Sequence, residues 1–470
     1  MKRNISFCVV LLAVTLANTR PASAREDHPK QVAAKLAREA LTNSSTMDIV
    51  TDLTTSIGPR LDGSEAEKRA AAWAQKRFEQ LGFDKVWIEN FPLPHGWARG
   101  EERAEVVSPS PQSLAVTALG GSPATTPEGL TAEIALFKTY DELLAAPPGS
   151  LAGKIAVVTQ PMFRAKDGAG YGAANKFRTA GPAEAARRGA IGYLLRSLAT
   201  NSRRSPHTGG THYAEDAPRI PAAALSVPDA EQLERLVAKG GPVRVKLVLT
   251  PQDLGAVTSQ NVIAEIKGRE KPDEIVLLGA HLDSWDLGTG AIDDGAGVAI
   301  VMAATKLIHD LPQHPKRTIR VVLFGSEETG LWGGKAYVLA HYSEMSQHIV
   351  VAEPDFGQGP IYKFQTGVGN PDEPSLKIIR AALAPLGIAR GDNKSQGSSE
   401  MELLSVLRVP AVNLEMDGTD YFDLHHTADD TLDKIRPERI NQSTAAYAVF
   451  AYLAAELGGD YRGQAAKPAK

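Results

Sequence analysis

Cysteine is almost missing from this chain, the single one among 470 residues being Cys8. It lies inside MKRNISFCVVLLAVTLANTRPASA, whose basic tip, short apolar run and Ala22-Ser23-Ala24 ending read as a secretory signal peptide, residues 1–24, cleaved near Ala24. A mature chain would then hold no thiol and no disulfide, so core packing and any bound metal must stabilise it. Long apolar runs are scarce too. The run near the start is shorter than the roughly 20 residues a spanning helix needs, which favours removal over anchoring, and no membrane span is expected in the mature chain. An excess of positive charge is also lacking. Lys and Arg number 51 against 55 Asp and Glu, for a net charge of −4, and the pairs Arg187-Arg188 and Arg203-Arg204 are isolated, so no nucleic-acid partner is expected. Two catalytic signatures are absent as well: no Gly-x-Ser-x-Gly elbow presents a nucleophile, and no His-Glu-x-x-His helix presents a metal site.

Polar residues do collect where chemistry is favoured. In EIVLLGAHLDSWDLGTGAIDDGAGVAIVMAATKLI, a short apolar run (Glu274 to Ala280) reads as a buried strand, and helical spacing resumes after Gly295. His281, Asp283, Asp293 and Asp294 thus occupy the loop at a strand's carboxyl end, the edge where open α/β sheets bind ligands. Capping of the next helix accounts equally well for Asp293 and Asp294 taken alone. A second acidic pair, Glu327 and Glu328, again follows an apolar run (TIRVVLF). Adjacent carboxylates at strand ends repel unless neutralised, and a divalent cation does this better than the half-charge of a helix N-terminus. HIVVAE leads to Asp355, and VPAVNLEM leads through DGTDYFD to His425 and His426. Histidine and carboxylate without thiolate suit zinc, and a bridging carboxylate allows two ions about 3.5 to 4 Å apart.

In this order, His-x-Asp, Asp-Asp, Glu-Glu, Asp, His, the residues resemble the co-catalytic zinc aminopeptidase family of metallo-exopeptidases. The resemblance implies two zinc ions per chain. Asp293 would bridge them, with His281 and Asp355 completing one site and Glu328 and His426 the other. His426 is preferred over His425 because adjacent side chains diverge. Glu327 would be the general base acting on a water activated between the ions, and Asp283 would orient the His281 imidazole. The implied fold is α/β, a doubly wound mixed sheet flanked by helices.

The peptidase part is expected in two pieces, 25–102 and 252–460, with a disordered tail over 461–470. In the first piece, GSEAEKRAAAWAQKRFEQLGF reads as a helix with a Ser64/Glu67 capping box and a stop at Gly82. Between 103 and 251 the Pro- and Gly-rich connections and the segment LAGKIAVVTQ resemble a smaller, β-rich protease-associated domain inserted in the peptidase. Residues 165–174 and 197–218 read as surface loops rather than a lid over the metals. The block 391–410 falls where the family places substrate-pocket residues, so Ser398, Ser399 and Tyr421 are candidate lining residues. The helix RINQSTAAYAVFAYLAAEL reads as core. The function expected is a secreted or periplasmic exopeptidase acting on dipeptides or N-terminal residues. A carboxypeptidase for acidic C-termini and a non-catalytic binding protein of the same fold are the alternatives. A homodimer is expected from the resemblance alone.

Overall fold

A run apolar at every position, such as Ile275–Ala280, suits a strand buried on both faces. In the computed structural model, which describes residues 22–462, this run lies within the strand Lys271–His281, between the parallel strands Arg317–Phe324 and His348–Ala352. Outward from these three, Gln252–Ile266 and Lys85–Ala98 add antiparallel on one side. Ala411–Met416, Ile361–Gly367 and Ala389–Arg390 complete eight strands on the other. Alternate residues point to opposite faces. Val276, Leu278 and Ala280 join one core with the helices Ala296–His309 and Pro437–Glu456, while Ile275 and Leu277 join another with Trp332–Ala340 and Glu400–Val406. The mixed sheet is therefore covered on both sides. Pro437–Glu456 is buried around most of its circumference because Ala22–Asn43 packs on its outer side.

The antiparallel pair Lys85–Ala98 and Gln252–Ile266 runs in register from Lys85 opposite Glu265 to Ala98 opposite Gln252. At that end the chain departs into a second eight-stranded sheet, whose strands fall between Glu102 and Leu249, and then returns. Ile155–Val158, Gly192–Arg196 and Ala222–Leu225 form its parallel centre. Four helices accompany this sheet (Tyr140–Ala145, Ala169–Thr179, Gly181–Arg187, Val227–Ala238), so the insert carries far more helix than its β pattern suggests. Arg99, at the departure point, fastens the two parts together. Its guanidinium donates to both oxygens of Asp286 in the loop after His281, and to Glu102 and the Thr208 hydroxyl of the insert.

The helix Glu65–Gln80 starts as expected at Ser64, whose hydroxyl accepts from the Glu67 amide at 3.1 Å. The other half of the box does not form. Glu67 is buried and accepts from the Gly63 amide and the Ser259 and Ser326 hydroxyls instead, beneath the turn that carries Glu327. The predicted signal segment lies outside the described residues apart from Ala22–Ala24, and residues 463–470 of the predicted tail lie outside them too. Tyr461 and Arg462, assigned to that tail, are docked: Tyr461 is buried, and Arg462 donates to the carbonyls of Met345 and His348. Among the described residues no helix is long and apolar enough to cross a membrane.

Candidate metal centre and active site

Strand ends bring the predicted residues together. His281 ends its strand, and its Nε2 lies 3.1 Å from Asp293 Oδ1 and 3.6 Å from Asp355 Oδ1. On the other side of Asp293, Oδ2 faces His426 Nε2 at 3.3 Å, and the same nitrogen is 2.9 Å from Glu328 Oε2. Asp293 thus divides its two oxygens between two histidines, each with a further carboxylate. Asp294, joined to it by a cis peptide bond, faces elsewhere: it accepts from the Gly297 amide at 3.0 Å in the first turn of Ala296–His309, and from the His281 amide. Of this acidic pair, Asp294 therefore takes the capping position, while Asp293 faces the two histidines.

His425 stacks on His426 with ring centroids 3.5 Å apart, and its Nε2 is 3.6 Å from Asp293, slightly farther than that of His426. The Asp283 carboxylate lies 3.5 Å from His281 Nδ1 and has closer partners elsewhere. It accepts from the amides of Glu327 at 3.0 Å and Glu328 at 3.2 Å, while His281 Nδ1 meets the main-chain carbonyl of Asp283 at 3.1 Å. One residue therefore holds the histidine and the Glu327–Glu328 turn in a fixed relation.

Supports that the sequence did not single out close the site from behind. Buried Arg60 donates to the carbonyls of Gly58, Leu282, Thr289 and Gly290, pinning the loop between His281 and Asp293. Asp430 accepts from the amides of Ile292 and Asp293. The Ser399 hydroxyl donates to Asp355, so this residue holds a site carboxylate as well as facing the cleft. The signal for Arg60 and Asp430 was present only as IGPRLDG and HHTADDT, where nothing separates a structural anchor from a loop charge.

The cleft over these residues has a volume of about 500 Å³. Tyr421, 8% exposed, lines it and packs against Phe356 and His425. Ser398 faces an adjoining recess beside Asp355 and Phe356. The opposite wall comes from the insert, through Tyr171, Arg178 and His212. Residues 165–174 and 197–218 are consequently more than surface loops: from Ala169 the first is helix with Tyr171 in the cleft wall, and in the second His207 and Thr208 are buried. The Thr208 carbonyl lies 3.3 Å from His426 Nδ1, and its amide donates to the His426 carbonyl. Gly120 allows this closure, since a Cβ there would lie 2.0 Å from Trp285, whose ring is 5.8 Å from that of His426.

Charge in this pocket is far from balanced by protein groups. Burial pushes the carboxyls of Glu327 and Glu328 above their usual range, whereas Asp293, despite burial, is held well below it by His281 and His426. Burial opposes charge on the imidazoles too, but Asp283, Asp293 and Asp355 raise His281 well above 6.5, and Glu328 and Asp293 raise His426 to about 9. Glu328 Oε1 is buried without a hydrogen-bond partner. Two sets of donors each lie within 4.8 Å of one another, His281 with Asp293 and Asp355, and Asp293 with His425 and His426; imidazole nitrogens and carboxylate oxygens so grouped fit a borderline divalent cation such as zinc.

A pH dependence follows. Without metal, imidazolium–carboxylate contacts at His281 and His426 stabilise the fold fully below the unfolded histidine pKa of about 6.5, and this stabilisation is lost as pH rises through about 9. Thermal melting of metal-free protein should therefore fall between pH 6.5 and 9. Ligation requires neutral imidazole, so the stabilisation produced by added zinc should widen over the same window. A metal-free melting temperature that stays flat from pH 7 to 9 would count against this arrangement.

The pattern of Peptidase family M28 matches residues 261–451. Carboxypeptidase Q of Bos taurus is 36% identical over 405 residues, covering 86% of this chain and 84% of that protein. A solved structure described as a peptidase M28 precursor from Shewanella amazonensis SB2B is 47% identical, with a TM-score of 0.92, covering 94% of this chain and 100% of that one. A zinc aminopeptidase from Bacillus subtilis has the same fold, with a TM-score of 0.62 at 22% identity over 89% of this chain and 97% of its own. These similarities agree with the chemistry of the strand-end cluster, and the chain belongs to peptidase family M28, as a metallopeptidase.

Proposed function

We propose that this protein is an exported di-zinc exopeptidase that hydrolyses dipeptides or removes N-terminal residues from short peptides. The observation that carries the reading is the division of the Asp293 carboxylate between His281 and His426. His281 and Asp355 would hold one ion, Glu328 and His426 the other, with Asp293 shared between them. Bound zinc supplies Lewis acidity, which lowers the pKa of a water and polarises the scissile carbonyl. Glu327 takes the proton: its buried carboxyl has a raised pKa, as suits a base working near neutral pH, and it passes the proton to the leaving amine. Asp283 keeps the Glu327 amide fixed, so the carboxylate does not have to reorganise during the reaction. Ser398, Ser399 and Tyr421 would line the substrate side, and the insert, which we read as a protease-associated domain, would close it.

The names of the relatives are reconciled by a dipeptide. Its single bond can be described equally as loss of the N-terminal or of the C-terminal residue, so one active site fits both aminopeptidase and carboxypeptidase relatives. Zinc-loaded protein should release amino acids from Ala-Leu, lose this activity with a chelator, and leave N-acetyl-Ala-Leu intact. Cleavage of the blocked substrate would turn the reading toward a carboxypeptidase. No release from any peptide, with zinc shown to be bound, would turn it toward a binding protein.

A further inference from the structure

We propose that Arg178, on the inserted segment, receives the free α-carboxylate of the substrate, so that the site selects dipeptides by their C-terminal end; this rests on the exopeptidase reading above. Arg178 stands near the end of the helix Ala169–Thr179, is 7% exposed, and lines the same cleft as Asp293, Glu327, Glu328 and His426. A buried guanidinium ordinarily has its charge or its donors answered within the protein. The other buried arginines obey this. Arg317 meets Glu274, Arg320 meets Glu265 and Glu344, and Arg60 is enclosed by four carbonyls. Arg178 does not. Nη2 donates to the Tyr171 hydroxyl at 2.7 Å, Nη1 reaches only the Thr208 carbonyl at 3.5 Å and His426 Nδ1 at 3.4 Å, and buried Nε has no partner. No carboxylate among the described residues forms an ion pair with it, although it faces the cleft.

Room for this guanidinium is specifically kept. Gly209, with φ +134°, lies so close that a Cβ would sit 2.2 Å from Arg178 Nη1. Asn175, one turn earlier on the same helix, lines the same wall and offers an amide to an anion. The location also suits the length of a dipeptide. Nη1 stands beside the ring of His426, and the α-carboxylate of a dipeptide ends one residue past the scissile bond, about 3.8 Å of chain. A longer peptide would present a neutral amide there, leaving the arginine unanswered and its own chain facing the wall of the insert. The planar fork of arginine matches a carboxylate in two parallel hydrogen bonds.

The test compares Ala-Leu with its C-terminal amide, Ala-Leu-NH2, on zinc-loaded full-length protein. The parent is expected to favour the free acid by about 10- to 100-fold in kcat/KM, the range of a charge-assisted hydrogen bond, chiefly through KM. In Arg178→Gln this ratio should collapse toward unity, with Arg178→Lys in between. Equal losses on acid and amide would mean that Arg178 merely braces the His426 turn, and would overturn the proposal while the exopeptidase reading stands. If Arg178→Gln fails to fold, inhibition of the parent by leucine and by leucinamide decides instead: selective inhibition by leucine supports the proposal, and equal inhibition overturns it. Failure of the parent to cleave either peptide, with zinc bound, would remove the exopeptidase reading and this proposal together.

Discussion

Replacing Glu327 by Gln is expected to lower kcat on a free dipeptide by about 10²- to 10⁴-fold, the contribution typical of general acid–base catalysis, while the bound zinc remains at the parent level. The two side chains have nearly the same shape, and the backbone of residue 327 is held by Asp283 rather than by its own carboxyl. The Glu327 carboxylate also makes none of the close contacts that join His281, Asp293, Asp355, Glu328 and His426. What changes is the ability to accept a proton. Because burial already disfavours the charged form of Glu327, the amide should not destabilise the fold, and the melting temperature should stay level or rise. Turnover near that of the parent would remove Glu327 from the role of base. Loss of zinc along with turnover would make it a structural member of the site.

The strand-end loops were legible because their elements are local. A continuous apolar run followed by polar residues and a fresh helical period marks a strand end whatever the rest of the chain does, and this located His281, Glu327, Asp355 and His426. What stayed hidden depends on distant partners. Asp293 and Asp294 are adjacent and chemically identical, and only the fold decides that one faces two histidines while the other caps Ala296–His309. Ser64 and Glu67 fit a capping box on paper, but a buried Ser259 hydroxyl and the Gly63 amide compete successfully for Glu67. The insert was recognisable as a change in composition, yet its contribution to the site was not. Arg178 and Thr208 lie more than two hundred residues before His426, as Tyr171 does before His425, and they meet only in the folded chain, where Arg99 also ties the departure point of the insert to Asp286. His207, His341 and His348 stand in no motif and yet are buried, and His348 is satisfied by the Tyr337 hydroxyl and the Glu344 carbonyl.

Asp293→Asn should have the other large effect, and its neighbour provides the control. An amide retains the size of the side chain and one acceptor, but it has no charge to share between two cations. The backbone contacts to Asp430 remain, so the loop should keep its path. On the di-zinc reading proposed above, zinc content is expected to fall from two ions per chain to one or fewer, and kcat/KM by at least about 10³-fold, since metal activation of the nucleophile and carbonyl is worth several kcal/mol. Asp294→Asn should behave differently. Asn caps a helix about as well as Asp, and Asp294 is a buried carboxyl whose pKa burial raises well above the usual range, so replacing it leaves the helix start intact and removes a group that is costly to ionise. Zinc content measured on both variants distinguishes the two residues. Equal loss of metal would mean that both carboxylates serve the ions, and the division of labour between two adjacent aspartates would have to be abandoned.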